Sequence, residues 1–411
     1  MSRTVAPSPS QARLILIGTA LLLTLGMGIR QSFGLFLTPI THDLGVTAAD
    51  FTFALAIQNI VWGLSQALVG ALADRFGLRI MMIVGAAIYV LGLGIMAAAH
   101  GVAALVVSGG LIGIALSCTA TSLAMTACVR AVSVQWRTRM LGIVSAVGSL
   151  GTLVVPIATQ ALLAREPWQV GMLFFVLMAV AMLPAAFLAG GADKFPGHAT
   201  AATSMREVLG QAMRNRPFLV MSGAYFVCGL NLVFLTTHLP AYLAICGQDP
   251  MLSAEALATI GGVSAIGSLL TGWLGSKYPK HILLGLLYIL RAVMFAVYFV
   301  TPPTETSTLL FAAAMGLLWW PGLAPLIGGL VAEIFGTRYL ATLLGVSFVV
   351  HQMGSSLGAW GGGLIFTLTG SYGPAWQIGT LIGFTAGVVQ ILAGGPTRRD
   401  DRMMVPAAAT T

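Results

Sequence analysis

Three ionisable side chains sit inside long apolar stretches, and each could do different chemistry. Arg30 lies in LLLTLGMGIRQSFGLFLTPI, residues 21–40, Arg291 in LLYILRAVMF, and His351 in SFVVHQMGSSLGAWGGG. Counted from Leu14, where the apolar run begins, Arg30 falls about 24 Å along a helix, past the middle of a bilayer core about 30 Å thick. A charge at that depth costs a few kcal/mol, so it is expected to face protein or water rather than lipid. Its guanidinium either binds an anionic group or is neutralised structurally. Gly26 and Gly34 stand four residues to either side and give it a face that other helices, or a cavity, can approach closely. Arg291 shares a helical face with Tyr288, Phe295 and Tyr298, so it reads either as a binding group or as a cation resting on aromatic rings. His351 shares a face with Ser355, Gly358 and Gly362 and adjoins Gln352; a histidine there can carry a proton near neutral pH or simply pack.

Other polar atoms in apolar spans are candidates to join them. Gln58 and Asn59 fall in the second span, Thr119 and Thr121 in the fourth, Asn231 in the seventh with His238 closer to its outer end. In the tenth, Trp319, Trp320, Pro321 and Gly322, with Pro325, are expected to kink the helix and present a ring to a cavity. His351 with Ser355 one turn away is the sole nucleophile–base pairing, and it has no third member. The four cysteines, Cys118, Cys128, Cys228 and Cys246, lack metal-ligand spacing and an extracellular pairing pattern, and are read as packing residues. No metal and no cofactor is expected.

The elements that must position these groups follow from composition. Hydrophobic residues make up 57% of 411 positions and charged ones 8%, with 50 glycines; the mean hydropathy is +0.93. This is the composition of an integral membrane protein whose helices pack through small residues. A β-barrel is excluded, because its strands alternate with a period of two, whereas these apolar runs are about twenty residues long. The net charge of +8 would suit nucleic acid, but the positions of the basic residues point instead to topology. With the spans below, 17 of the 20 Lys and Arg fall in cytoplasmic loops and tails, Arg165 falls outside, and Arg30 and Arg291 lie within the membrane.

Apolar segments fall near 14–40, 51–73, 79–99, 102–129, 139–163 and 167–190, then 218–246, 253–274, 282–301, 307–334, 340–369 and 374–394. The expected organisation is a disordered cytoplasmic tail over 1–13, a six-helix bundle over 14–190, and a cytoplasmic linker over 191–216 with a short amphipathic helix from Ser204 to Arg214. A second six-helix bundle over 217–395 and a tail over 396–411 complete the chain, with both termini cytoplasmic. The halves look like repeats: Gly28, Phe33 and Pro39 recur as Gly229, Phe234 and Pro240 at an offset of 201, and Gly70 and Leu72 recur as Gly272 and Leu274 at 202. Asn231 aligns with Arg30 in this repeat.

After the second span comes GALADRFGLR, with Gly70, Leu72, Asp74, Arg75, Gly77 and Arg79. It resembles the loop signature of the major facilitator superfamily between its second and third helices, with Leu78 where a basic residue is usual. GWLGSKYPKH, from Gly272 to His281, is a degraded copy at the matching place in the second half. The resemblance implies an all-α fold of twelve transmembrane helices in two pseudo-symmetric six-helix bundles, enclosing a midplane site. It also implies that Gly70, Asp74, Arg75, Gly77 and Arg79 form a gate, with Asp74 accepting from helix N-terminal amides and from arginine partners. A narrower similarity, through GMGIRQSFGLF, LLYILRAVMF and SFVVHQMGSSLGAWGGG, is to bacterial relatives of monocarboxylate porters and oxalate–formate antiporters. The acidic-Gly-aromatic signature of the eukaryotic porters is absent from the first span, and their arginine is absent from the eighth.

The resulting expectation is a monomeric secondary transporter of the cytoplasmic (inner) membrane, moving a small organic anion by alternating access. Arg30, Asn231, His351, Gln352, Gln58, Asn59 and Arg291 are the expected substrate-binding residues, and His351 the expected proton carrier. An anion exchanger of the oxalate–formate type and a drug or metabolite efflux pump are the alternatives. A cation pump would want a membrane-embedded carboxylate, and all twelve acidic residues belong at or beyond the membrane edges. A channel would need a selectivity filter, and none is visible.

Overall fold

In the computed structural model, residues 7–133, 136–195, 210–318, 320–335 and 340–395 are described, and the regular structure among them is helical. Helix α1 (Pro9–Ser32) leads through a 3₁₀ turn, Phe33–Phe36, into α2 (Leu37–Leu44). Then come α3 (Ala48–Phe76), α4 (Leu78–Ala97), α5 (Val102–Thr119), α6 (Thr121–Ala131), α7 (Arg137–Leu163) and α8 (Trp168–Ala189), with a 3₁₀ turn at Gly190–Lys194. The second half holds α9 (Arg216–Ile245), α10 (Pro250–Gly275), α11 (Lys280–Val300), α12 (Glu305–Leu317), α13 (Trp320–Phe335), α14 (Leu340–Thr369) and α15 (Gly373–Ala393). Among the described residues, ten continuous helical spans are long and apolar enough to cross a membrane. The 30-residue α14 and the α12–α13 pair supply the remaining two of the expected twelve.

Local signals explain several boundaries. Ser8 caps α1 in a box with Gln11, so residues 9–13 are helical rather than part of a disordered tail. Thr47 with Asp50 starts α3, and Thr304 with Ser307 starts α12. The fourth span breaks at Ala120, whose extended backbone (φ −81°, ψ −160°) separates α5 from α6. The tenth breaks between Leu317 and Trp320, upstream of the prolines expected to kink it; α13 runs on through Pro325, while Trp319 lies outside the described residues. Of the amphipathic helix expected over 204–214, residues 204–209 lie outside the described residues and 210–212 are helical.

Packing inside each half follows the repeat. A Cβ at Gly151 of α7 would overlap the Thr24 carbonyl of α1, and a Cβ at Gly354 of α14 would overlap the Phe226 carbonyl of α9. The two glycines are 203 residues apart and the two carbonyls 202, so the first and fifth spans pack as the seventh and eleventh do. Likewise a Cβ at Gly113 would stand 2.5 Å from the Gln58 carbonyl, and one at Gly316 2.9 Å from that of Ile260, pairing span four with two and ten with eight. Backbones meet this closely in lipid because association there depends on van der Waals fit rather than on a hydrophobic drive.

The halves meet along two seams, α3 on α14 and α7 on α10. On the first, Ser356 Oγ donates to the Ala56 carbonyl at 2.9 Å, the Ala49 amide donates to Thr367 Oγ1 at 3.2 Å, and Gly63 admits the Gln352 side chain. On the second, Gly261 lies against Thr152. A third contact puts Gly34, in the 3₁₀ turn, against the Thr236 carbonyl of α9. Outward faces carry exposed Leu64, Leu177 and Leu269, as lipid-facing helices require.

Gly151→Ala and Gly354→Ala are each expected to destabilise the protein by about 1–3 kcal/mol through overpacking. Gly70→Ala, where a Cβ meets nothing within 4 Å, should be neutral or stabilising. Melting temperatures of the three variants in detergent check this ordering.

Candidate functional site

The break in the first span decides what Arg30 can do. Because α1 gives way to the 3₁₀ turn at Phe33, Arg30 stands in the last turn of α1, where the carbonyl end of a helix favours a cation. Its Nη2 donates to Asn59 Oδ1 across a long 3.4 Å, and its guanidinium carbon lies 5.0 Å from the centre of the Trp62 ring. Among the described residues no carboxylate lies within 4 Å of it. Asn59 is held for this contact by its own Nδ2, which donates to the Leu55 carbonyl at 2.8 Å.

Arg30 lines a polar cavity with Gly34, Gln58, Asn59, Thr236 and Thr237 at the junction of the two halves. The cavity holds about 20 Å³ of water-accessible space, room for roughly one water molecule. Gln58 is buried, and its Oε1 has no hydrogen-bond partner among the described residues. The site is therefore contracted, cationic and short of partners.

Asn231 does not join it. Its Nδ2 donates to the Gly379 carbonyl at 3.2 Å, and the side chain nests between Gly379 and Gly383 of α15. Val233, two residues on and about 200° around the helix, faces the cavity instead. Arg291 is also spent elsewhere. Its Nε donates to the Leu318 carbonyl at 2.6 Å, its Nη2 donates to the same oxygen, and its Nη1 lies 3.0 Å from Cys228 Sγ. That carbonyl lies at the break between α12 and α13, and the buried guanidinium donates to it. Tyr288 of α11 contributes a ring 5.9 Å away. Of the four cysteines, Cys246 is exposed and the other three are buried.

His351 and Gln352 sit one layer beyond the cavity. His351 Nδ1 is 3.1 Å from Gln352 Oε1 and 3.4 Å from Ser355 Oγ, and its ring stacks on Phe348 at 6.0 Å and against Tyr225 at 4.4 Å. Phe348 meets Trp62 edge-on at 5.3 Å, so an aromatic relay of two rings connects His351 to Arg30 across the α3–α14 seam. His238 is structural: its Nε2 lies 2.7 Å from the Ala359 carbonyl and its Nδ1 3.2 Å from the Tyr372 hydroxyl.

At the other end of α3, the GALADRFGLR loop is held by a residue expected to belong to the linker. Asp193, not Asp74, caps α4: the Leu78 and Arg79 amides donate to its two oxygens at 2.7 and 2.9 Å. Gly77 turns the chain with φ 92°, and a Cβ there would also press within 2.7 Å of the Asp193 carboxylate. Asp74 is largely exposed and pairs with Arg130 at 3.6 Å, which reaches Asp193 at 3.7 Å. Arg79 lies over the Phe187 ring at 4.4 Å and Arg75 over Phe76 at 5.3 Å. Gly70 makes no close approach. In the second half, Lys280 at the start of α11 pairs with Glu333 of α13.

Two halves of matching packing, joined by seams and enclosing a small polar site at their junction, define a membrane carrier rather than a soluble enzyme or a pore. The Major Facilitator Superfamily profile matches residues 16–359, and the chain belongs to that family. It is 25% identical to the uncharacterized transporter YcxA of Bacillus subtilis, over 89% of this chain and 91% of that protein. It is 26% identical to monocarboxylate transporter 13 of Rattus norvegicus (92% and 87% covered) and 24% identical to the oxalate:formate antiporter of Oxalobacter formigenes (89% and 87%). In fold it is similar to a bacterial homologue of the human lysosomal transporter Spinster in an inward-facing, unoccupied conformation. The TM-score is 0.71 and the identity 16%, with 94% of this chain and 95% of that one covered. The chain is thus a multi-pass membrane transporter.

The sequence did not single out Thr236, Thr237, Trp62 or Asp193. Only Trp62, polar at one end and in the same span as Gln58 and Asn59, carried a signal that could have drawn notice. Arg291→Ala should lower the melting temperature markedly, because it strips the Leu318 carbonyl of its donor inside the membrane. Arg291→Lys should recover part of that loss through one remaining donor. Thermal denaturation of both variants, beside wild type, checks this.

Proposed function

We propose that this protein is a secondary active carrier of a small organic anion, in the first instance a monocarboxylate, with Arg30 holding the anionic group. The observation that supports this reading most is Arg30 itself: a guanidinium at membrane depth, lining a cavity, with one long hydrogen bond and no carboxylate partner among the described residues. A carboxylate fits its bidentate geometry. Gln58 and Asn59 are the further polar contacts proposed. The names of two relatives, a monocarboxylate transporter and an oxalate:formate antiporter, agree with an anionic substrate. The basic loops and tails support a topology with both termini in the cytoplasm and a location in the cytoplasmic membrane. The protein works as a monomer.

With room for about one water, the cavity must widen to admit even a small carboxylate, so transport requires the seams to open alternately toward each side. The GALADRFGLR loop governs that switching through Gly70, Asp74, Arg75, Gly77 and Arg79, rather than binding substrate. His351 carries the coupled proton, as a side chain in the membrane interior whose chemistry allows both charge states. A monoanion at Arg30 and a proton on His351 together leave the loaded site with the charge of the empty one, which avoids an added cost of moving charge through the membrane. The alternative is exchange without a proton; the two rings between His351 and Arg30 favour it, since they keep the proton site out of the cavity. A pump for lipophilic cations is poorly supported, because no acidic residue occupies the interior of a span.

Reconstituted into proteoliposomes, wild type should accumulate labelled formate or lactate, and Arg30→Ala should bind and transport neither while keeping its melting temperature. Arg30→Lys should restore binding only in part. Wild-type affinity in Arg30→Ala would sink the reading. For coupling, an inward proton gradient should drive uptake and a membrane potential alone should not, while His351→Ala should bind normally yet lose the gradient response. Uptake indifferent to pH but accelerated by trapped internal anion would replace symport with exchange.

A further inference from the structure

In the cavity beside Arg30, one side chain from the second half has a polar atom that its own helix leaves unused. Thr237 of α9 is buried and lines the cavity together with Arg30. Its hydroxyl makes no hydrogen bond among the described residues, whereas every other buried threonine among them uses its own. Thr19, Thr52, Thr119, Thr159 and Thr271 donate to the carbonyl four residues back at 2.7 to 2.9 Å. Thr236 does the same at 3.2 Å, and Thr308 meets the Tyr298 hydroxyl at 2.9 Å. A helical threonine can always satisfy itself on its own backbone in this way, so the unspent hydroxyl of Thr237 is the exception.

Packing fixes where Thr237 stands. Gly34, four residues after Arg30, lies so close to α9 that a Cβ on it would be 2.1 Å from the Thr236 carbonyl oxygen and 3.0 Å from that of Thr237. The turn that follows Arg30 is thus seated on the Thr236–Thr237 backbone, an approach that glycine permits. With room for about one water molecule, the cavity brings the groups that line it within reach of a single small occupant. The repeat sharpens the contrast. Thr237 follows Phe36 by 201 residues, the offset that relates Gly28 to Gly229. Phe36 is fully buried and meets the Phe175 ring at 5.2 Å. The first half fills this position with a packing ring; the second places an unspent hydroxyl there, beside a charge.

We propose that Thr237 is a further substrate-binding residue: its O–H donates to the same anionic group that Arg30 holds. This rests on the Arg30 reading above. A carboxylate offers only acceptors, about four lone-pair sites on two oxygens. The fork of Arg30 takes two of them side by side, and a hydroxyl arriving from another helix takes a third. Being neutral, the hydroxyl adds direction without a second positive charge, so the pair suits a single negative charge. Arg30 belongs to the first half and Thr237 to the second, so one bound anion ties the halves together at their junction.

The test is titration of formate, lactate and oxalate against purified wild type, Arg30→Ala, Thr237→Val and Thr237→Ser, with the melting temperature of each protein recorded without ligand. Thr237→Val keeps the shape and removes the hydroxyl. It is expected to weaken binding of formate and lactate alike by about ten- to a hundredfold, the worth of one charge-assisted hydrogen bond. Its unliganded melting temperature should equal or exceed that of wild type, since no internal bond is lost, and Thr237→Ser should bind within a few-fold of wild type. If wild type binds, Arg30→Ala does not, and Thr237→Val binds as wild type does, the Thr237 assignment is overturned while the Arg30 reading stands. Equal losses in Thr237→Val and Thr237→Ser, with lowered melting temperatures, would make Thr237 a packing residue and overturn it too. A loss confined to lactate would move the hydroxyl from the carboxylate to the substrate's own hydroxyl, against the contact stated here. Should wild type bind none of the three, or Arg30→Ala bind them all, the Arg30 reading falls and takes this one with it.

Discussion

A positive charge in a medium that cannot solvate it is the constraint on which the rest of this structure turns. At membrane depth an arginine without a counter-charge has three resources: the carbonyl end of a helix, the faces of aromatic rings, and polar side chains or water in a cavity. Arg30 uses all three. The end of α1 at Ser32 and the 3₁₀ turn after it supply the first, Trp62 the second, and Asn59 with the small cavity the third. None is a full neutralisation, which is what supports the proposal that Arg30 holds an anionic substrate.

The same physics, applied in the second half, ends in a closed account. Arg291 is as deeply embedded, but the carbonyl exposed where α12 stops takes two of its donors and Cys228 faces a third. Helix interruption thus plays opposite parts in the two halves. In the first span it positions a guanidinium beside a cavity; in the tenth it creates the acceptor that removes a guanidinium from play. Pseudo-symmetric backbones thus hold their two membrane-embedded arginines in different surroundings, Arg30 at a cavity and Arg291 on a carbonyl.

Around the site, backbone contact sets the mechanics. Glycines that face carbonyls across α1–α7 and α9–α14 make each half stiff, because a close-packed interface has few intermediate positions. The seams between halves are mixed, combining glycine contacts with hydroxyl-to-carbonyl bonds and the Trp62–Phe348 edge contact. Near the C-terminal end of α3, Asp193 ties the start of α4 to the segment after α8, and Arg130 bridges it to Asp74. The first half is therefore braced as one body up to the loop proposed to switch.

By itself the sequence determined what local chemistry determines. Long apolar runs, few charges and many glycines made this a helical membrane protein; the offsets of 201 and 202 made it a doubled one; and the depth of Arg30 along its run marked it as unusual. These readings hold because hydropathy and helical period are properties of contiguous residues. The rotation of each helix and the partner each polar group finds are not. Asn231 and Arg30 align in the repeat, yet packing turns Asn231 toward Gly379 and Gly383 and gives the cavity Thr236 and Thr237. Asp74 carries the loop signature, yet Asp193, more than a hundred residues away, accepts the α4 amides. Arg291 and Arg30 are both lone arginines in apolar spans, and only the break at Leu318, brought beside α11 by the fold, separates the spent charge from the available one. Tertiary structure decided these outcomes because a buried polar group is satisfied by whichever atom arrives beside it in space, and that atom is set by the packing of distant segments.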